Sequence, residues 1–197
     1  MNVGVLALQG DVPEHLKALA GVVRGGTVTA VRTPDDLARV DALFMPGGES
    51  TTIARLLQGS RLWDPLDARM RAGLPVLATC AGLILLARTL APGGPGASPP
   101  TFGLVDVEVR RNGYGSQRES FEGPVRVEDL AGEAFPGVFI RAPRILDVGP
   151  GARPIAWHEG EVVGVRHGAI WALTFHPELS GDRRLHRLFL EGAANAP

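Results

Sequence analysis

One cysteine occurs in the 197 residues, and it sits within Ala78-Thr79-Cys80-Ala81-Gly82. An apolar run from Val76 to Thr79 precedes it and another, Ala81 to Leu90, follows. The spacing predicts a strand, then a sharp turn framed by small residues, then a helix. Such a turn lifts its central side chain above the sheet. At a helix N-terminus the dipole favours a thiolate. The backbone N–H of Ala81 would point to where an oxyanion forms. A lone cysteine is more often a buried structural residue; the small-residue frame and the strand–helix context point to a nucleophile.

A cysteine nucleophile needs a base within hydrogen-bond reach, and the base needs an orienting acceptor. His176-Pro177-Glu178 offers both. In an extended segment, residues two apart leave the same side, and Pro177 stiffens the geometry between them. Alone, these three residues serve equally well as a strand-end loop with a solvated glutamate. Met45-Pro46-Gly47-Gly48-Glu49-Ser50 adds consecutive glycines, which admit a ligand close to the backbone and present N–H groups to developing charge. It also reads as a tight turn before a helix capped by Ser50. The polar, glycine-bearing stretch from Arg110 to Glu122 does not resemble a core element. Its arginines, and Arg141 after an apolar strand, could clamp a carboxylate. The histidines at 15, 158, 167 and 186 have no metal-ligand spacing and read as structural or surface residues, and no metal site is expected.

The elements that must position these residues alternate along the first half. Strands are expected at Val3 to Leu8, Thr27 to Val31, Ala42 to Met45 and Val76 to Thr79. Helices are expected after Asp11, which with Glu14 suggests a capping box, and over Pro34 to Val40 behind Thr33. Further helices are expected over Ser50 to Leu57, Leu62 to Ala72 and Ala81 to Leu90. The second half is richer in strands: Leu104 to Val109, Val125 to Val127, Val138 to Ile140, Ile145 to Val148, Pro154 to His158, Val162 to Arg166 and Ile170 to Phe175. Glu159-Gly160 reads as a hairpin turn, and Asp182 to Leu190 as a terminal helix. The pattern implies an α/β fold: a three-layer sandwich whose mostly parallel central sheet is flanked by helices, with a few antiparallel strands in the second half. One domain is expected over residues 1–197. In such sheets the site lies beyond the carboxyl ends of the strands, where Gln9-Gly10, Pro46 to Ser50 and Cys80 all fall. The Gly/Pro-rich stretch Ala91 to Thr101 reads as a flexible surface loop.

Composition bounds the function. Hydrophobic residues are 45% and charged residues 21%, with a net charge of −1, so no nucleic-acid or anionic-membrane partner is expected. A single cysteine allows no internal disulfide and fits a reducing, cytoplasmic setting. No signal peptide and no membrane-spanning stretch is read.

Taken in order, the chain resembles the class I, triad-type glutamine amidotransferases. Within that family it is similar to the branch serving two-component pyridoxal 5′-phosphate synthases. The likeness rests on Gly4-Val5-Leu6-Ala7-Leu8-Gln9-Gly10, Pro46-Gly47-Gly48-Glu49-Ser50-Thr51 and Thr79-Cys80-Ala81-Gly82-Leu83-Ile84-Leu85-Leu86. It continues through the Arg111-to-Glu122 loop, with Gln117-Arg118-Glu119-Ser120-Phe121-Glu122, and Phe175-His176-Pro177-Glu178-Leu179. The triad is shared by many amidotransferases; the Gln117-to-Glu122 and Gly-Glu-Ser-Thr runs are specific to the vitamin B6 branch. The resemblance implies Cys80 as nucleophile, His176 as base and acid, and Glu178 as orienter. It implies a glutamine pocket of Gly47, Gly48, Glu49, Arg111, Ile140 and Arg141, with an oxyanion hole at Gly48 and Ala81.

It further implies hydrolysis of L-glutamine through a cysteine thioester, with no cofactor. The ammonia would pass to a synthase subunit within a large hetero-oligomeric ring. The family's glycine two residues before the nucleophile is Ala78 here. The alternatives are the glutaminase of another synthase, such as imidazole glycerol phosphate synthase, a cysteine peptidase or esterase on a similar sheet, or a binding module with a dead site. The free subunit is expected to be nearly idle, with the Gln9-Gly10 and Gly47-Gly48 loops rearranging on docking.

Overall fold

The computed structural model of the chain describes residues 1–92, 96–113 and 120–195. Its elements run β1 (Val3–Leu6), α1 (Val12–Ala20), β2 (Val28–Val31), α2 (Pro34–Ala38), β3 (Ala42–Met45), α3 (Ser50–Gly59), α4 (Trp63–Arg71), β4 (Val76–Thr79) and α5 (Ala81–Leu86). There follow β5 (Ala87–Leu90), β6 (Val105–Arg110), β7 (Ser120–Val127), β8 (Phe135–Ile140), β9 (Arg144–Val148), β10 (Arg153–His158), β11 (Glu161–His167), β12 (Ile170–Leu173) and α6 (Arg184–Ala194).

Nine strands form one mixed sheet in the order β2-β1-β3-β4-β12-β11-β10-β7-β8. β2, β1, β3, β4 and β12 are parallel neighbours; from β12 onward the pairing is antiparallel. β5, β6 and β9 make a second, three-stranded sheet. The α/β architecture with helices on both faces is as expected. The two-residue alternation of strand side chains divides the core. Leu6, Leu43, Met45, Val76 and Ala78 pack with α3, α4 and α5. Val3, Val5, Phe44 and Leu77 pack on the other face with Leu19 of α1 and Leu185 and Phe189 of α6.

The order places the site. β1, β3, β4 and β12 lie side by side and run the same way, so their carboxyl ends open on one edge. The loops that follow them carry Asp11, Gly47-Gly48, Cys80 and His176. Leu173 of β12 pairs with Thr79 of β4, which brings residues 80 and 176 together despite their separation in sequence.

Several boundaries differ from the sequence reading. The apolar run after Cys80 is helical only to Leu86, and Ala87–Leu90 forms a strand beside β6. Length favoured one helix, but pairing with Val105 to Val109 satisfies the backbone instead. The polar stretch after Arg110 is not all loop. Ser120, Phe121 and Glu122 open β7, and Phe121 stacks on Phe139 with ring centroids 4.5 Å apart. Gln117, Arg118 and Glu119 lie outside the described residues. The last strand ends at Leu173 rather than Phe175. Glu159-Gly160 does turn the β10–β11 hairpin, with positive φ of 48° and 83°, as a type I′ turn requires. Among the described residues no helix is long and apolar enough to cross a membrane.

Candidate active site

Cys80 sits between β4 and α5 with φ 48° and ψ −100°, a conformation that costs a non-glycine residue energy. It is held there from both sides. Its N–H donates to the Leu173 carbonyl at 2.8 Å, and its carbonyl accepts from Ile84 at 3.2 Å. Gly82 is what permits the turn, because a Cβ there would meet the Met45 carbonyl at 2.7 Å and the Ala78 methyl at 3.1 Å. The Ala78 side chain is therefore accommodated by the missing one at Gly82. Ala81 opens α5, so its N–H has no acceptor one turn earlier within the helix.

His176 follows the end of β12 by three residues, and its N–H is fixed by the Val138 carbonyl at 2.8 Å. An extended segment would set His176 and Glu178 on one side; the chain instead turns at Pro177–Leu179. The turn serves the same end, and His176 Nδ1 lies 2.8 Å from Glu178 Oε1. Both side chains are almost wholly buried. With Nδ1 taken, Nε2 is buried without a hydrogen-bond partner and remains for the Cys80 thiol. The thiol's other neighbour is the Ile140 carbonyl, 3.9 Å away.

Asp11 was expected to cap α1. It stands at the N-cap position, but its side chain makes no cap bond and reaches His176 Nδ1 at 3.2 Å. Burial by itself would lower the His176 pKa; contacts with Asp11, Cys80 and Glu178 outweigh it and raise the pKa well above the usual histidine range. Burial likewise acts to raise Glu178, but His15 and then His176 hold its carboxyl far below the ordinary carboxylate value. The product is a ring that favours its protonated form. Donor atoms of Asp11, His176 and Glu178 lie within 4.8 Å of one another. Both carboxylates share one ring nitrogen, which describes a trapped proton better than a metal's ligand set.

A cavity of about 490 Å³ opens above Cys80. Gly48, Glu49, Arg111, Ile140 and Arg141, all expected, line it together with Cys80 and His176. Gly47 stands behind the wall, where a Cβ would fall 2.3 Å from His176 Cε1. Glu178 and Ala81 are likewise set back. Glu49 and Arg141 form an exposed ion pair at the mouth, and Arg141 has a positive φ of 41°. Ser50 does not cap α3; Glu49 occupies that position, and Ser50 and Thr51 line the pocket.

Asp11, Asn112 and Gly96 line it too, none of them expected as a pocket residue. Gly96 belongs to the Gly/Pro-rich stretch, and the neighbouring Ala97 carbonyl accepts from Arg111 at 2.9 Å. Composition alone could not assign that loop to the pocket. The glycine loops meet back to back: Gln9 Oε1 accepts the Glu49 N–H at 2.9 Å, and the Gly47 carbonyl accepts from Asp11 at 3.2 Å. Gly10, with φ 103°, would place a Cβ 1.7 Å from that carbonyl.

Residues 5–195 match the model of the SNO glutamine amidotransferase family. The chain is 52% identical over 189 residues to the "Pyridoxal 5'-phosphate synthase subunit PdxT" of Streptomyces coelicolor, covering 96% of this chain and 92% of that one. It is 49% identical over 192 residues to the subunit of the same name from Chloroflexus aggregans, covering 97% and 100%. A crystal structure of a glutamine amidotransferase superposes with a TM-score of 0.87 at 44% identity, over 98% of both chains. A possible GMP synthase subunit from Thermoplasma acidophilum shares the fold, with a TM-score of 0.66 at 15% identity.

Proposed function

Since the chain belongs to the SNO glutamine amidotransferase family, we propose that it hydrolyses L-glutamine and delivers the ammonia to a pyridoxal 5′-phosphate synthase subunit. The observation that carries the reading is Cys80, strained at the head of α5 and facing a His176 ring held by the Glu178 carboxylate, at the floor of the cavity. The Cys80 thiolate attacks the carboxamide carbon of glutamine. The N–H groups of Ala81 and of the Gly47-Gly48 turn, at Gly48, stabilise the tetrahedral oxyanion. His176 gives its proton to the leaving nitrogen, ammonia departs and a thioester remains. Water then adds with His176 as base, and glutamate leaves. Glu178 orients the ring throughout.

Glu49, Arg111, Ile140 and Arg141 hold the amino-acid end of the substrate, with the Arg141 guanidinium suited to its carboxylate. For that, the Glu49–Arg141 ion pair has to open. Residues 1–197 act as one glutamine amidotransferase domain and need no cofactor. Ammonia released into water would be protonated and diluted, so the subunit works docked on its synthase, in a large ring assembly. The contacts among Gln9, Gly10, Asp11 and Gly47 belong to the idle free subunit and rearrange on docking.

The test is ammonia release from glutamine by the wild-type chain and by Cys80→Ala, each with and without the synthase subunit. Wild type should be slow alone and strongly stimulated by the partner, and Cys80→Ala should be inactive in both. Hydrolysis indifferent to this partner would move the protein to another synthase, and an active Cys80→Ala would remove the nucleophile assignment.

A further inference from the structure

His15 lies on α1 and is fully buried. Its Nε2 is 3.3 Å from Glu178 Oε1 and 3.4 Å from Thr79 Oγ1. A carboxylate can only accept, so the proton of this contact belongs to His15 Nε2. We propose that His15 is a positioning residue for glutamine hydrolysis: from the protein interior it donates to Glu178 and presses the carboxylate against His176. The proposal rests on the glutaminase reading of the same site.

The geometry is specific. Glu178 Oε1 receives both rings, His176 Nδ1 at 2.8 Å and His15 Nε2 at 3.3 Å. Both contacts fall on this one oxygen, and Oε2 is buried without a hydrogen-bond partner. His15 also touches Thr79, the residue directly before Cys80, so one ring spans both halves of the site. Of the two His15 ring nitrogens, Nε2 is the one with polar neighbours, Glu178 and Thr79, while Nδ1 is buried without a hydrogen-bond partner; the ring is thus turned so that its used nitrogen faces the carboxylate. Its surroundings are otherwise apolar or distant: Phe44 of β3 lies at a ring-centroid distance of 5.9 Å and His186 of α6 at 6.5 Å.

The titratable and charged groups facing this array are Glu178 with His176 behind it, Asp11 at the same His176 nitrogen, and His186 with the charges of Asp182 and Arg183 acting on it. Burial drives Glu178 toward taking up a proton, and His15 is the strongest influence opposing it. Removing the donor should let Glu178 protonate at higher pH. The acid limb of kcat/KM should move upward with it, since the triad needs the ionised carboxylate.

The test uses the chain in complex with its synthase subunit, with glutamine as substrate. His15→Leu and His15→Met both remove the donor; His15→Gln keeps an N–H near the Nε2 position. Both donor-free variants should lose roughly tenfold to a hundredfold in kcat with little change in KM. Their acid limb should rise by about one pH unit. His15→Gln should recover most of the rate and the wild-type limb. The proposal is overturned if a folded donor-free variant keeps kcat within about twofold with an unmoved limb. It also falls if His15→Gln is as impaired as the other two, or if both donor-free chains fail to fold, because His15 would then be structural. A wild-type complex that releases no ammonia in the same assay would instead overturn the glutaminase reading beneath it.

Discussion

Each of the three residues of the proposed triad is held in a form that isolated side chains would resist. Cys80 occupies a strained backbone position, His176 is buried with a raised pKa, and Glu178 is buried with a lowered one. The linkage has a definite sign. Glu178 titrates lower in the folded chain than its ordinary 4.5. Its stabilisation is therefore complete above that value and is lost as pH falls toward the folded one. His176 works the other way: its stabilisation is complete below 6.5 and is lost only as pH rises through the raised folded value. Urea midpoints measured from pH 3 to 7 should fall with acidification more steeply for wild type than for Glu178→Gln. Parallel curves would mean that the Glu178 carboxyl is not held ionised.

The β4–α5 turn is the element on which the site depends. Its two halves are tied to different neighbours, the Cys80 N–H to β12 and the Gly82 backbone against β3. Gly82 leaves no space for a methyl group beside the Met45 carbonyl. Gly82→Ala should therefore destabilise the chain by about 1–3 kcal/mol, the usual cost of overpacking. It should also lower kcat, since a small displacement of the nucleophile is expensive. The urea midpoint checks the first effect and glutamine turnover the second; a variant normal in both would mean that the turn relaxes freely. The helix that begins at this turn gives way to the strand β5 after Leu86. Ala87 to Leu90 continues an apolar helical pattern, and only the presence of β6 beside it diverts the chain.

At the scale of the whole molecule, the site sits where the large sheet changes character. β12 is parallel to β4 and antiparallel to β11, so the strand that delivers His176 is also the seam between the two halves. α6 covers the face behind this seam, and Phe189 is its anchor, with ring centroids 5.3 Å from Phe44 and 5.7 Å from Trp171. Phe189→Ala should cost about 3–5 kcal/mol, read as a lowered urea midpoint. Its KM for glutamine below the transition should stay unchanged, because the ring packs on Phe44 and Trp171 and is not among the described residues lining the pocket. A rise in KM would show that the rear face of the sheet helps to shape the pocket.

Much of this protein is legible in its sequence because the signals are local. The Cys80 frame, the glycines at 47 and 48 and the His176–Glu178 spacing each need only a few neighbouring residues to be recognised. The alternation of apolar strands and amphipathic helices fixes the α/β class, since period and length are properties of the chain itself. Other features depend on residues far apart in sequence, which no local pattern encodes. Asp11 reads as a helix cap and turns out to hold His176. His15 reads as one scattered histidine and lies against Glu178. The Gly/Pro-rich loop reads as surface and borders the pocket at Gly96. The first two contacts exist because β1, β3, β4 and β12 pair in register, and the third because the loop after β5 of the second sheet comes to the same edge. That order is set by packing on both faces of the sheet, where the energy of burying side chains is shared among residues across the entire chain.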